Sequence, residues 1–241
     1  MPGFPVDAPL PIIYHDVPGL SWLFSGSGKK LLRFGKNHST IGGKTGAGGR
    51  KNTGMGEKLM KWMIASDIHG SASCCERMLQ RFEAERADRL LLLGDLLYHG
   101  PRNDLPEEYR PKAVIGMLNG VKGRLLCVRG NCDCEVDQMV LDFPILADYA
   151  LLDLGKAMVF ATHGHVYHKG ALPPLSPGDI LLFGHTHVPE CTEQGGILCL
   201  NPGSVSIPKE NSARGYMVYE NGNFLWKNLE GKEFMRHPVF L

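Results

Sequence analysis

Residues 62–70 read WMIASDIHG, a short apolar run that leads directly into reactive side chains. The four apolar residues Trp62–Ala65 have the length of a strand and are too few for a helix. They are followed almost at once by Asp67 and His69, whose side chains bind metals or transfer protons. The same junction recurs downstream, and its recurrence indicates both the fold class and the chemistry.

Strand-sized apolar runs are spaced regularly along the chain from residue 58 onward. The further runs are Leu90–Leu93, Leu125–Val128, Met158–Ala161, Ile180–Phe183 and Ile197–Leu200. Between the early runs, residues 73–87 and 107–119 space apolar side chains among charges as amphipathic helices do. After about residue 144 the pattern is mostly strands, with turns at residues 173–174, 195–196 and 221–222. The sequence therefore predicts an α/β protein that is richer in sheet in its C-terminal half.

Metal-binding side chains follow five of these runs. Beyond Asp67 and His69 they are Asp95, Asn131, His163, His165, His185 and His187. Loops at the carboxyl ends of the strands in an α/β sheet converge, and ligands bind there. Each residue alone has an ordinary explanation, such as a helix cap, a turn or a surface histidine. Because five of the ten histidines directly follow strand-like runs, the pattern as a whole predicts a metal centre.

The donor types indicate which metals this centre would hold. Carboxylate, amide and imidazole donors without obligatory thiolates suit Mn²⁺, Fe or Zn²⁺, and we favour Mn²⁺. The donors exceed one tetrahedral shell, so we expect two divalent ions. Two ions ~3.5–4 Å apart can share a bridging hydroxide and hold the oxygens of a phosphoryl group.

The composition excludes several classes of protein. The chain has 241 residues, 43% hydrophobic and 21% charged, with a net charge of +1, which is an ordinary globular balance. No apolar run approaches the ~20 residues that cross a bilayer, so we expect no membrane partner. The seven cysteines lack paired CxxC spacing, which argues against a secreted disulfide scaffold and favours the cytoplasm.

The polar blocks resemble those of the calcineurin-like metallophosphoesterases, and in particular the small bacterial phosphodiesterases of the YfcE type. In chain order the blocks are Asp67-Ile68-His69, Gly94-Asp95, Gly130-Asn131-Cys132-Asp133, His163-Gly164-His165 and Gly184-His185-Thr186-His187, with NPGSVSIP at residues 201–208. The resemblance covers roughly residues 59–220. It implies two mixed β-sheets packed as a sandwich and flanked by helices.

The resemblance also assigns the metal ligands. It implies that one ion binds Asp67, His69, His187 and a shared Asp95. It implies that the second ion binds Asp95, Asn131, His163 and His185. Spacing alone does not choose between His163 and His165, so that choice rests on the resemblance.

Three further residues are candidates for contact with substrate. Many members of the superfamily have a histidine where this chain has Cys132, and a thiol with a pKa of ~8.5 is a weaker general acid than imidazole. Cys132 either contacts the phosphate or fills space beside the metals. His165 either orients the nucleophile or packs nearby, and Arg102 either binds an anion or is an ordinary surface arginine.

Residues 1–57 and 58–241 are predicted to be separate regions. Residues 1–56 are rich in Gly and Pro and carry seven Lys/Arg against two Asp/Glu, so we expect a disordered, basic N-terminal extension. The rest of the chain carries 19 Lys/Arg against 23 Asp/Glu, a net charge of −4, so it gives no strong signal for nucleic acid. We expect residues 58–241 to form the metallophosphoesterase domain.

The function predicted from these observations is metal-dependent hydrolysis of a small phosphodiester by a hydroxide that bridges two ions. One alternative is hydrolysis of phosphomonoesters at the same centre. Another is a non-catalytic interaction scaffold, although every expected ligand position holds a competent donor. The sequence leaves homo-oligomerisation open.

Overall fold

A computed structural model describes the backbone of Ile12–Tyr14 and residues 60–239. Its strands are β1 (Ile12–Tyr14), β2 (Trp62–Ala65), β3 (Arg89–Leu92), β4 (Leu125–Cys127), β5 (Tyr149–Asp153), β6 (Met158–Thr162), β7 (Ile180–Leu182), β8 (Pro189–Gln194), β9 (Ile197–Pro202), β10 (Gly215–Glu220), β11 (Asn223–Asn228) and β12 (Glu233–Pro238). The helices are α1 (Ala72–Ala84), α2 (Pro111–Gly120) and the single turn α3 (Glu135–Gln138), with a 3₁₀ turn at Lys122–Arg124.

The strands form two six-stranded mixed sheets. The first sheet has the order β12-β11-β10-β2-β3-β4, with β2, β3 and β4 parallel and β10 to β12 antiparallel. The second has the order β1-β5-β6-β7-β9-β8, with β6, β7 and β9 parallel. Within each sheet the parallel strands end at one edge, which brings the loops that follow them together.

The two sheets pack face to face across an apolar core. Ile64, Leu91 and Trp226 of the first sheet meet Val159 and Leu182 of the second, and all five side chains are buried. Helices α1 and α2 cover the outer face of the first sheet, where Met78, Phe82 and Val114 are buried. The predicted sandwich flanked by helices is therefore confirmed.

Local chemistry explains where the helices begin and the hairpins turn. Ser71 caps α1 by accepting a hydrogen bond from the Cys74 N–H (3.4 Å), and Pro111 starts α2, where its missing N–H costs nothing. Asn221 and Gly222 have positive φ (49° and 75°), as a two-residue turn between antiparallel strands requires.

The predicted elements agree with the structure within four residues at their ends. All six apolar runs are strands, and the helices predicted over 73–87 and 107–119 are α1 and α2. In the N-terminal extension Ile12–Tyr14 form β1, parallel to β5, while the rest of residues 1–57 lies outside the described part of the chain. Among the described residues no helix combines the length and apolarity that a membrane crossing needs.

Candidate metal centre

The predicted site residues lie in the loops that follow β2, β3, β4, β6 and β7. Five of them have left-handed backbone, a region that side chains other than glycine rarely adopt. These are Asp67 (φ 60°), His69 (48°), Asp95 (56°), His185 (66°) and His187 (63°). Such backbone persists only where surrounding contacts hold it in place, and it is found most often at functional sites.

Asp67, His69 and His187 form a buried cluster. His69 Nδ1 donates to the Tyr98 carbonyl (2.7 Å) and His187 Nδ1 donates to the Ile207 carbonyl (2.6 Å). Because a carbonyl can only accept, these bonds place each proton on Nδ1 and turn the Nε2 lone pairs inward. The two Nε2 atoms are 3.2 Å apart, and Asp67 Oδ1 lies 3.1 Å from the Nε2 of His187.

His163, Asn131 and His185 form a second cluster beside the first. His163 Nδ1 donates to the Leu93 carbonyl (2.7 Å), so its Nε2 also faces inward. That Nε2 lies 3.0 Å from Asn131 Oδ1 and 3.2 Å from His185 Nδ1. Asp95 lies between the clusters, with its Oδ2 3.6 Å from His69 Nε2 and 3.4 Å from His163 Nε2.

This arrangement fits divalent cations. Asp67 Oδ1 is fully buried and has no hydrogen-bond partner among the described residues, which is a costly state for a carboxylate oxygen. The inward lone pairs of His69 and His187 face each other and would repel. A cation relieves both problems, and oxygen and imidazole donors are the ligands that Mn²⁺, Fe and Zn²⁺ accept.

Electrostatics within the clusters shift several pKa values strongly. Burial raises the pKa of Asp67, but the proximity of His187 and His69 outweighs it and holds that pKa well below its usual range. Burial lowers the pKa of His163, but Asp95 and Asp67 outweigh it and raise the pKa to about 9. Burial and the charge of His163 lower the pKa of His185 to about 4. The carboxylates of Asp67 and Asp95 thus stabilise positive charge within the clusters.

Asp133 holds two of the loops in place, a role that the sequence pattern did not reveal. Its buried carboxylate accepts hydrogen bonds from the backbone N–H groups of Asp95 (2.8 Å), Leu96 (2.9 Å) and Gly130 (2.8 Å). Burial nevertheless raises its pKa. Two of these partners are 37 and 38 residues away in sequence, so no local spacing could have identified the role.

The end of β9 and the segment after it hold the loops after β2 and β7, and this stretch too was missed as a functional element. Ser204 Oγ and Ser206 Oγ both donate to the Asp67 carbonyl (2.9 and 3.0 Å). Asn201 Nδ2 donates to the Gly184 carbonyl (2.8 Å) and to Thr186 Oγ1 (3.0 Å), which fixes the loop that carries His185 and His187. The NPGSVSIP stretch was quoted only as part of the resemblance.

Cys132 and His165 lie at the rim of the clusters. The Cys132 N–H donates to Asp95 Oδ1 (2.8 Å), and its thiol is near enough to His69 and Asp95 to share a metal with them. Burial and the charge of Asp95 raise the pKa of this thiol, so it stays protonated in this setting. His165 is exposed, and its ring centroid is 5.4 Å from that of His163.

Arg102 is not within the clusters. It is exposed and lines an open groove of about 510 Å³ that lies between the loop after β3 and the segment after β9. Among residues 60–239 its guanidinium makes no hydrogen bond or ion pair. The structure therefore gives Arg102 no role at the clusters themselves.

Comparisons with known proteins agree with this architecture. The family model for the calcineurin-like phosphoesterase superfamily domain matches residues 60–223. Phosphodiesterase YfcE of Escherichia coli K12 is 49% identical over 163 residues, which cover 68% of this chain and 89% of that protein. The probable metallophosphoesterase YsnB of Bacillus subtilis 168 is 27% identical over 172 residues, 66% of this chain and 83% of that protein.

A solved structure of YfcE, described as a phosphoesterase from E. coli, has the same fold. It superposes with a TM-score of 0.73 at 44% sequence identity and covers 75% of this chain and 100% of that one. The region that the family model matches, residues 60–223, contains every residue of the two clusters.

Proposed function

The chain belongs to the calcineurin-like phosphoesterase superfamily, and we propose that it is a metal-dependent phosphodiesterase with a dinuclear centre. The family match and the similarity to YfcE support a metal-dependent phosphoesterase. The observation that carries the proposal is the position of Asp95, whose carboxylate lies within 3.6 Å of imidazole nitrogens from both clusters. The similarity to YfcE, which is named a phosphodiesterase, supports the diester as substrate.

The proposed ligand sets follow the two clusters. One ion is held by Asp67, His69 and His187, and the other by Asn131, His163 and His185, with Asp95 shared between them. We propose Mn²⁺ as the preferred ion, with Fe or Zn²⁺ as alternatives, because the donors are oxygen and imidazole without a required thiolate. When bound, such a pair supplies a bridging hydroxide as nucleophile and neutralises charge on the phosphoryl oxygens.

The side chains of this protein prepare that chemistry. The carbonyls of Tyr98, Leu93 and Ile207 accept hydrogen bonds from Nδ1 of three histidines, so each of these histidines presents its Nε2 to a metal. Asn131 contributes a neutral oxygen, which lowers the negative charge that an incoming phosphate meets. Cys132, held protonated, adds no charge beside the reacting group.

The test uses chelator-treated protein and bis-4-nitrophenyl phosphate. We expect no hydrolysis without metal and restored hydrolysis with Mn²⁺. Asp95→Asn removes the shared charge and should lower kcat by at least ~100-fold, the scale that losing one preorganised electrostatic group reaches. Asp142→Asn, on an exposed residue paired with Lys122, is the matched control and should behave as wild type.

The possible outcomes distinguish the phosphodiesterase proposal from the phosphomonoesterase and scaffold alternatives. An Asp95→Asn protein with wild-type turnover at saturating Mn²⁺ would contradict the dinuclear mechanism. Protein that binds two equivalents of metal but hydrolyses only 4-nitrophenyl phosphate, a monoester, would favour the phosphomonoesterase alternative. Protein that binds metal and hydrolyses neither ester would favour the interaction scaffold.

We also propose a cytoplasmic setting, which the seven cysteines support because all of them are free thiols. The proposed partner is a small phosphodiester. The net charge of −4 on residues 57–241 gives a long nucleic acid little attraction.

A further inference from the structure

The open groove beside Arg102 is built from two loops that also hold the metal centre. One wall belongs to the loop between β3 and α2 and includes Arg102, Leu105 and Pro106. The other wall belongs to the segment after β9 and includes Ile207 and Pro208. A volume of about 510 Å³ is within the range of small-molecule sites, which run from ~300 to 1,000 Å³.

Both walls are attached to the first metal cluster. On one side the Tyr98 carbonyl accepts the hydrogen bond from His69 Nδ1, four residues before Arg102. On the other side the Ile207 carbonyl accepts the hydrogen bond from His187 Nδ1. The groove therefore borders the His69 and His187 side of the centre.

Arg214 joins the two walls and leaves Arg102 as the available cation. Arg214 Nη1 pairs with Glu107 Oε2 (2.7 Å) on the first loop, and its Nε donates to the Ser206 carbonyl (3.1 Å) on the second. The remaining charges in the lining are Arg102 and Asp104, one of each sign. Because these two charges balance, the groove is better suited to an uncharged group with polar edges than to a negatively charged group.

The apolar part of the lining indicates the shape of that group. Leu105 is 63% exposed, which is unusual for a leucine, and it lies in the wall opposite Ile207. Leu105 and Pro106 on one wall and Ile207 and Pro208 on the other offer two apolar surfaces to a flat ring. Arg102, Asn103 and Asp104 supply hydrogen-bond donors and acceptors at the rim.

We propose that this groove binds the organic group of the phosphodiester, a flat ring system with polar edges and the size of a nucleoside. Leu105 and Ile207 contact its faces, and Arg102 contacts its polar edge. This inference rests on the proposed phosphodiesterase function and adds the class of substrate to it. Arg102 and Leu105 act in this account as specificity-determining residues.

The test compares two diesters that share a leaving group. In both methyl 4-nitrophenyl phosphate and thymidine 5′-(4-nitrophenyl phosphate), water adds to phosphorus, the bond to 4-nitrophenolate breaks, and a proton is released. We expect wild-type kcat/KM to be about tenfold higher for the thymidine ester, since a partly apolar site discriminates on that scale. Arg102→Gln and Leu105→Ala should bring the ratio close to one, mainly through KM.

Two controls change an arginine and an exposed apolar residue away from the groove. Arg86→Gln alters an exposed arginine beyond the C-terminal end of α1, and Phe234→Ala alters an exposed apolar residue on β12. Both should keep the wild-type ratio. An equal kcat/KM for the two diesters in the wild type, or a ratio that neither groove variant lowers, would overturn the proposal while leaving the phosphodiesterase function intact.

Failure of the proposed function is distinguished by a binding measurement. If neither diester is hydrolysed, thymidine 5′-monophosphate and inorganic phosphate are titrated into the full chain by calorimetry. Tighter binding of the nucleotide that weakens in Arg102→Gln and not in Arg86→Gln would support the groove. Equal affinity for nucleotide and phosphate would overturn it.

Discussion

At the scale of single residues, the centre combines good ligands with poor backbone geometry. Asp67, His69 and Asp95 occupy left-handed conformations that glycine adopts without cost. Glycine has no side chain to bind a metal, so under the proposed ligand sets these positions keep a carboxylate or an imidazole at a strain of ~1–3 kcal/mol each. Hydrogen bonds from their neighbours hold them there.

Asp133 holds the backbone of the strained residue Asp95 in place, and a substitution at Asp133 measures that support. Asp133→Asn keeps the size of the side chain but replaces one acceptor oxygen with an amide that faces backbone donors. We expect the free energy of unfolding to fall by ~1–3 kcal/mol, the cost of leaving a buried donor unsatisfied. Urea denaturation measures this loss, and activity should fall with it because Asp95 is displaced.

The control for Asp133 is again Asp142→Asn, whose exposed carboxylate pairs only with Lys122. Exposed ion pairs contribute ~0–1 kcal/mol, so its denaturation midpoint should stay near that of the wild type. Equal midpoints for both variants would show that Asp133 does not hold the loops.

At the scale of elements, the loop after β7 approaches the loop after β2 closely at Gly184. A Cβ there would overlap Ser66 Oγ and come 3.0 Å from Asp67 Oδ2. Gly184→Ala should therefore destabilise the protein by ~1–3 kcal/mol, as overpacking does, and weaken Mn²⁺ binding by displacing Asp67. Denaturation and metal titration measure the two effects.

Gly116 in α2 is the matched control, because a Cβ there meets nothing within 4 Å. Gly116→Ala should stabilise the protein by ~0.5–1 kcal/mol, since alanine loses less backbone entropy in a helix. A loss of stability in Gly116→Ala, or none in Gly184→Ala, would contradict this account of loop packing.

Glu85 at the end of α1 links that helix to the sheet and makes stability depend on pH. Lys227 Nζ contacts both of its carboxylate oxygens (2.8 and 2.9 Å), and Tyr216 donates to one of them (2.9 Å). Burial raises the pKa of Glu85, but these bonds outweigh it and lower the pKa below its usual value. A carboxyl with a lowered folded-state pKa stabilises the protein above its unfolded pKa of ~4.3, and the contribution disappears as pH falls through the folded value.

Glu85→Gln should therefore be less stable than the wild type at pH 7, and the difference should shrink as the pH falls below ~4.3. Urea denaturation at pH 7 and pH 3.5 measures both differences. Glu83→Gln on the same helix, where the side chain is 60% exposed, should show little change at either pH. A Glu85→Gln deficit that is independent of pH would point to lost packing and not to lost charge.

At the scale of the whole molecule, β1 is the described part of the extension, and it covers the β5 edge of the second sheet. Among the residues whose side chains the structure describes, 60–239, the apolar cores already contain an extensive set of buried residues from Met63 to Leu229. A chain of residues 58–241 should therefore fold and keep its activity. It should also associate more at high concentration, because an uncovered edge strand presents unpaired N–H and C=O groups.

Light scattering over a concentration series measures that association, with the full chain as the control. Thermal unfolding and hydrolysis of bis-4-nitrophenyl phosphate report the fold and the activity. A chain of residues 58–241 that fails to fold would contradict the predicted domain boundary. One that stays as dispersed as the full chain would show that β1 does not protect the edge.

The six strands that sequence analysis identified as apolar runs are mostly buried. The run Leu90–Leu93 is continuous and apolar because β3 lies between two layers, and such a run is visible without a partner. Strand β8 reads PECTEQ and is half exposed at a sheet edge, so its composition is that of a loop. Only its pairing with β9 makes it a strand.

The sequence by itself determined the family, the order of the elements and the set of ligand candidates, because each depends on residue types next to one another in the chain. The resemblance already implied that Asp95 is shared, but the sequence did not determine the distances from Asp95 to the two clusters, that Asp133 holds its loop, or that Arg102 lines a groove outside the clusters. Those facts depend on contacts between segments tens of residues apart. Burial and hydrogen-bond geometry exist only once the two sheets have packed.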